Sequence, residues 1–128
     1  MGNEMTQPED QARALVEEFV MALPEARPIL DEHLADNFNE LLPHVLMAEL
    51  TRWIIDLQRD AGAGDVRSAE MRDRALAFLE VKFSDPDDVG GRDVIAASFL
   101  ENLHQAGSVL DALVARLGPT LRSAMPTT

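Results

Sequence analysis

The chain has 128 residues, 46% of them hydrophobic, which suits a single domain with its own core. It contains no cysteine, so disulfides, thiolate metal sites and thiol catalysis are excluded. Twenty-three acids against eleven lysines and arginines leave a net charge of −12, which disfavours nucleic acid and anionic membrane surfaces and admits a basic protein partner.

In chain order, Thr6-Gln7-Pro8-Glu9 resembles a capping box, with Thr6 as the cap and Glu9 three residues on. The helix it opens carries Ala12, Leu15, Val16, Phe19, Val20 and Leu23 on one face and stops at Pro24. A second helix is expected from Pro28, with Leu30, Leu34, Phe38 and Leu41 as its stripe. The densest apolar run follows, from Pro43 to about Asp60. There Leu46, Leu50, Trp53, Ile54 and Leu57 share a face that Val45 and Met47 widen. Such a helix is touched from several sides, so it is expected at the centre of the fold with Trp53 largely buried. Glu49 with Arg52, and Asp56 with Arg59, are spaced to meet as surface ion pairs.

Ala61-Gly62-Ala63-Gly64-Asp65 is the clearest loop. A fourth helix is expected from Val66 or Ser68 to Phe83, with Met71, Ala75, Phe78, Leu79 and Phe83 inward. Residues 84–88 form a turn able to cap a fifth helix that runs to about Ala106. Gly90 and Gly91 weaken its first turns, each by about 1 kcal/mol relative to alanine. Gly107 ends it. Ser108 to Asp111 resembles a capping box for a sixth helix bearing Leu110, Leu113, Val114 and Leu117. Gly118-Pro119 stops that helix, and residues 120–125 add a short turn. No stretch shows the period-2 pattern of a strand. The expected fold is all-α: a compact bundle of five to six short helices, with HEAT-like stacking of helical hairpins as the variant arrangement. It is read as one domain over residues 1–128, its ordered core at about 8–122.

Candidate chemistry is sparse. Glu101 and His104 have the Glu-x-x-His spacing of carboxylate-bridged di-metal bundles, but such sites need a second copy and further glutamates. Glu40 and His44 are four apart, with Pro43 between them. Asp85, Asp87, Gly90 and Asp93 match part of a calcium loop, yet Val89 and Ala96 stand where ligands are required. No serine lies in a nucleophile elbow and no glycine-rich loop follows a strand. His33 reads as a partly buried, hydrogen-bonded side chain. No catalytic residue, cofactor or metal is assigned, and an enzyme is not expected.

The charge is also uneven. Residues 1–51 hold eleven acids against Arg13 and Arg27, a balance of −9. Residues 52–128 hold twelve acids against nine bases, a balance of −3. Glu17, Glu18, Asp31, Glu32 and Asp36 lie opposite the apolar stripes of the first two helices and are the candidate partner-binding residues. No apolar run approaches the roughly twenty residues of a membrane span. The start of the chain, MGNEMTQPED, is polar and acidic, unlike a secretory signal, so the cytoplasm is the expected location. Met1-Gly2-Asn3 with Thr6 fits a short myristoylation pattern, but nothing basic follows to assist an anchor.

Leu41-Leu42-Pro43-His44 running into Leu50-Thr51-Arg52-Trp53, Ser98 to Leu103, and Leu117-Gly118-Pro119 together carry a resemblance. Over about residues 20–122 the chain resembles a family of small bacterial helical proteins classed as an uncharacterised domain. The resemblance implies a helical fold and no catalytic residue. In size and charge such proteins are similar to immunity proteins of bacterial toxin systems. Two functions follow as expectations. One is a protein-binding module, in its most specific form an immunity protein neutralising a basic toxin. The other is a structural or regulatory domain that self-associates, its charge serving solubility.

Overall fold

The computed structural model describes residues 7–126. Helix α1 (Pro8–Ala22) opens on a proline, whose missing N–H costs nothing in a first turn. Gln7 holds the cap position without a side-chain bond. Thr6, the expected cap, lies outside the described residues. Ala12, Leu15, Val16, Phe19 and Val20 form the buried stripe, as their spacing requires.

A 3-10 turn, Pro24–Ala26, leads into α2 (Arg27–Asp36). Here the expected stripe is corrected in part: Leu30 and Leu41 do pack on the core, but Leu41 lies beyond the helix. Leu30 and Leu34 are half-buried, and the one buried residue of α2 is His33. Phe38 lies beyond the helix and is 97% exposed. The chain turns left-handed just after the helix, with φ of 56° at Phe38 and 64° at Asn39. No helical stripe can continue through that reversal.

Helix α3 (Pro43–Gly62) is the hub. Leu46, Met47, Leu50 and Ile54 are fully buried. It packs against α1, α2, α4 (Val66–Phe83) and α5 (Val89–Ser98). Trp53 is mostly but not fully buried and packs on the core from its margin, so the expectation of a largely buried indole holds, with part of the ring left open. The reason is rotational. The buried residues of α3 centre on Leu50, Thr51, Ile54 and Met47, and at about 100° per residue Trp53 falls on the edge of that arc. Two polar side chains in the core are satisfied. Arg72 donates to Gln58 Oε1 at 2.9 Å and to Asp73 Oδ1 at 3.0 Å. Thr51 Oγ1 lies 2.7 Å from Met47 O and 2.9 Å from Ser98 O.

Asp65 caps α4 by accepting from the backbone N–H of Arg67 and Ser68, and Asp88 caps α5 by accepting from Gly91 N–H. Gly90 does more than weaken a turn. Its backbone comes up against the Pro8 carbonyl, where a Cβ would overlap it, and its N–H donates to Gln11 Oε1 at 2.8 Å. Gln11 Nε2 in turn donates to Asp87 O at 3.1 Å. This close seating makes α1 against α5 one of the most extensive pairings in the molecule and closes the bundle.

The fifth helix is shorter than expected. Its α portion ends at Ser98, whose carbonyl also accepts from Asn102 Nδ2 at 3.0 Å. The chain continues as 3-10 turns over Leu100–Val109, broken at Gly107, where φ is 58°. Helix α6 (Leu110–Val114) has Val109 at its cap with no side-chain bond, so Ser108 does not form the expected capping box.

Helix α7 (Pro119–Ser123) completes the fold. Glu80 of α4 holds it, accepting from the N–H groups of Thr120 and Leu121, each at 3.0 Å. Gly118 leaves the room this carboxylate occupies. The outcome is an all-α bundle, with no strand among the described residues. None of its described helices is long and apolar enough to cross a membrane.

Candidate functional site

The five acids singled out in the sequence separate in the fold. Glu17 is exposed on α1 with no ion pair among the described residues. Glu18 pairs with Lys82 of α4, whose ammonium also lies 5.6 Å from the Phe78 ring centroid. Asp31 pairs with Arg27 at 3.0 Å on the outer face of α2. Glu32 and Asp36 instead line a groove between α2 and α3.

That groove has a volume of about 410 Å³. Its α2 wall is Ile29, Glu32, His33 and Asp36, and its α3 wall is Glu49, Arg52, Trp53 and Asp56. Each set follows i, i+3, i+4, i+7, one face of a helix. A connection of six residues, 37–42, returns the chain from α2 to α3, so the two helices run as a hairpin.

The groove rests on His33. The ring is 1% exposed. Its Nε2 lies 3.0 Å from Leu42 N, and a backbone N–H can only donate. Nε2 is therefore the acceptor, and the imidazole proton sits on Nδ1. Nδ1 donates to Glu49 Oε1 at 3.0 Å. The histidine thus ties α2, the connection and α3 together and fixes the Glu49 carboxylate in the groove wall. Spacing along the sequence suggested Arg52 as the partner of Glu49; the carboxylate pairs with the buried imidazole instead. Asp56 and Arg59 do meet, at 3.3 Å.

Trp53 supplies the apolar part of the wall. It meets Phe19 edge-on, with centroids 6.3 Å apart and planes at 81°. Phe19 in turn meets Phe78 at 5.5 Å and 90°. One side of the indole is braced by the core while part of the ring stays open to the groove. Four carboxylates, from Glu32, Asp36, Glu49 and Asp56, face one guanidinium on the lining, that of Arg52. A partly exposed indole among carboxylates is suited to a cationic side chain, which both the ring face and the charges attract.

The remaining candidates are engaged locally. His104 Nδ1 lies 2.7 Å from the Glu101 carbonyl oxygen, at the surface. His44 Nδ1 lies 2.9 Å from Ser98 Oγ, and its Nε2 lies 3.6 Å from Asp93. Asp85 accepts from Asp87 N–H and Asp88 from Gly91 N–H, as turn and helix caps. Among the described residues no group of three or more histidine, aspartate or glutamate side chains is arranged to hold a metal ion.

Neither the curated proteins nor the solved structures contain a match to the chain. A family model does match it over residues 16–126, under the description Domain of unknown function (DUF7674). The matched span includes all of α2 and α3, and with them both walls of the groove. The chain belongs to the DUF7674 family of domains of unknown function.

Proposed function

We propose that this protein is a binding module that receives a basic segment of another protein in the α2–α3 groove. The observation that carries the reading is the placement of Glu32, Asp36, Glu49 and Asp56 around partly exposed Trp53, with Glu49 held by buried His33. A lysine or arginine laid over the indole gains about 0.5–2 kcal/mol from the ring. The net charge of −12 speeds the encounter with a cationic partner. In its most specific form the module is an immunity protein that neutralises a basic bacterial toxin, offering carboxylates where the toxin accepts phosphates. It acts by binding, not by catalysis. Self-association draws less support. The exposed large apolar residues Met21, Phe38, Val45, Val66, Val81 and Val89 are spread along the chain, and two copies would bring like charges together.

Trp53 is the only tryptophan, so intrinsic fluorescence reports on the groove. Titration with an arginine-rich peptide at low salt is expected to change its emission. The double variant Glu32→Lys/Asp36→Lys is expected to weaken the apparent affinity about tenfold or more. Emission that stays constant, or equal affinity in the two proteins, would remove the reading.

A further inference from the structure

Phe38 is the most exposed of the large apolar residues, at 97%. The other four phenylalanines, Phe19, Phe78, Phe83 and Phe99, are buried or packed on the core. Phe38 and Asn39 are also the non-glycine residues with positive φ among the described residues, at 56° and 64°. Asparagine tolerates that region, whereas an aromatic residue there is an outlier that costs stability.

The turn closes without help from the phenyl ring. Asn39 N–H donates to Leu34 O at 2.8 Å and Glu40 N–H to Asn37 O at 2.9 Å. Asn37 Nδ2 donates to His33 O at 2.7 Å. Every bond comes from backbone or from Asn37, so glycine would suit position 38 better and any polar residue would suit the solvent better. The ring stands in solvent with exposed Asp36 and Glu40 on either side of it in the chain, two residues beyond Asp36 of the groove wall.

We propose that Phe38 is the apolar anchor of the partner interface, inserting into an apolar socket rimmed by lysine or arginine side chains. Aromatic side chains are enriched at the cores of interfaces, because one ring buries a large apolar area when it docks. The basic rim follows from charge complementarity with Asp36, Glu40 and Glu32. A second copy of this chain would set acids against acids. The basic character of the socket rests on the groove reading above; the anchoring role of the ring does not.

The test uses β-cyclodextrin carrying amino groups on its rim, an apolar cavity ringed by cations, beside neutral β-cyclodextrin. Binding is read by amide shifts in the wild type, Phe38→Gly and Phe38→Trp. The expected result is binding that shifts residues 36–40, is tighter for the aminated host, falls about tenfold or more in Phe38→Gly and survives in Phe38→Trp. Phe38→Gly is also expected to raise Tm by about 3 °C as the backbone relaxes. Equal binding by Phe38→Gly, no preference for the aminated host, or a lower Tm would overturn the proposal. Loss of the peptide-induced Trp53 signal with this pattern intact would instead count against the groove and leave the anchor standing.

Discussion

His33 Nδ1 and Glu49 Oε1 lie 3.0 Å apart, and the proton between them belongs to the imidazole because Leu42 N–H occupies Nε2. One buried side chain thereby sets the spacing of two helices and the position of a carboxylate in the groove between them. Replacing His33 by phenylalanine leaves the Leu42 N–H without its acceptor and frees Glu49. The expected loss is about 2 kcal/mol or more, the cost of stranding a buried donor with some overpacking. Chemical denaturation measures it, and a loss below about 0.5 kcal/mol would show that the imidazole is not a strut.

The aromatic chain from Phe78 through Phe19 to Trp53 separates core from site. Phe19 is fully buried and Trp53 is half-buried. Phe19→Ala is expected to cost about 3–5 kcal/mol and Trp53→Ala clearly less. Trp53→Ala should nonetheless remove the ring's share of cation binding in the groove and leave that of the carboxylates. Equal destabilisation by the two variants would place Trp53 in the core.

Gly90→Ala reverses an ordinary expectation. Alanine in a helix normally stabilises by about 1 kcal/mol over glycine. Here the new methyl overlaps the Pro8 carbonyl, so α1 must shift away from α5. A net loss of about 1–3 kcal/mol is expected. A gain in Tm would mean that the α1–α5 seating is looser than the structure shows.

Acid should loosen α7 before it melts the bundle. Burial pushes the Glu80 carboxyl up, but the N–H groups of Leu121 and Thr120 outweigh it and hold the carboxyl below its ordinary value of 4.5. A carboxyl lowered in the folded state stabilises it above the unfolded value and loses that contribution as pH falls through the folded value. Wild type should therefore exceed Glu80→Gln in Tm at pH 6, and the gap should close below about pH 4.5. A gap that is constant down to pH 3 would show that the carboxylate charge plays no part.

How much of this was legible in the sequence follows from what is local. The α1 stripe and the course of α3 are periodic within one segment, so spacing alone places them. Both groove walls, 29/32/33/36 and 49/52/53/56, are likewise single-helix faces. Which two faces meet is a property of the hairpin, so Glu32 and Asp36 were separable from Glu17, Glu18 and Asp31 only in the fold. The bonds from His33 to Glu49 and Leu42 span 16 and 9 residues, which no helical period encodes. Phe38 stands four residues after Leu34 and so mimics a continuing stripe. Asn37 and Asn39 on either side were the signal of a left-handed turn.

Occupation of the α2–α3 groove by a basic segment is read residue by residue in the amide and indole N–H shifts. The 15N-labelled protein is titrated with an arginine-rich peptide at low salt. Shifts concentrated in residues 29–36 and 49–56, with the Trp53 indole N–H among the largest, are the predicted result. Shifts centred on Glu17 and Glu18 of α1, or spread evenly over the acidic surface with the indole unmoved, would contradict it.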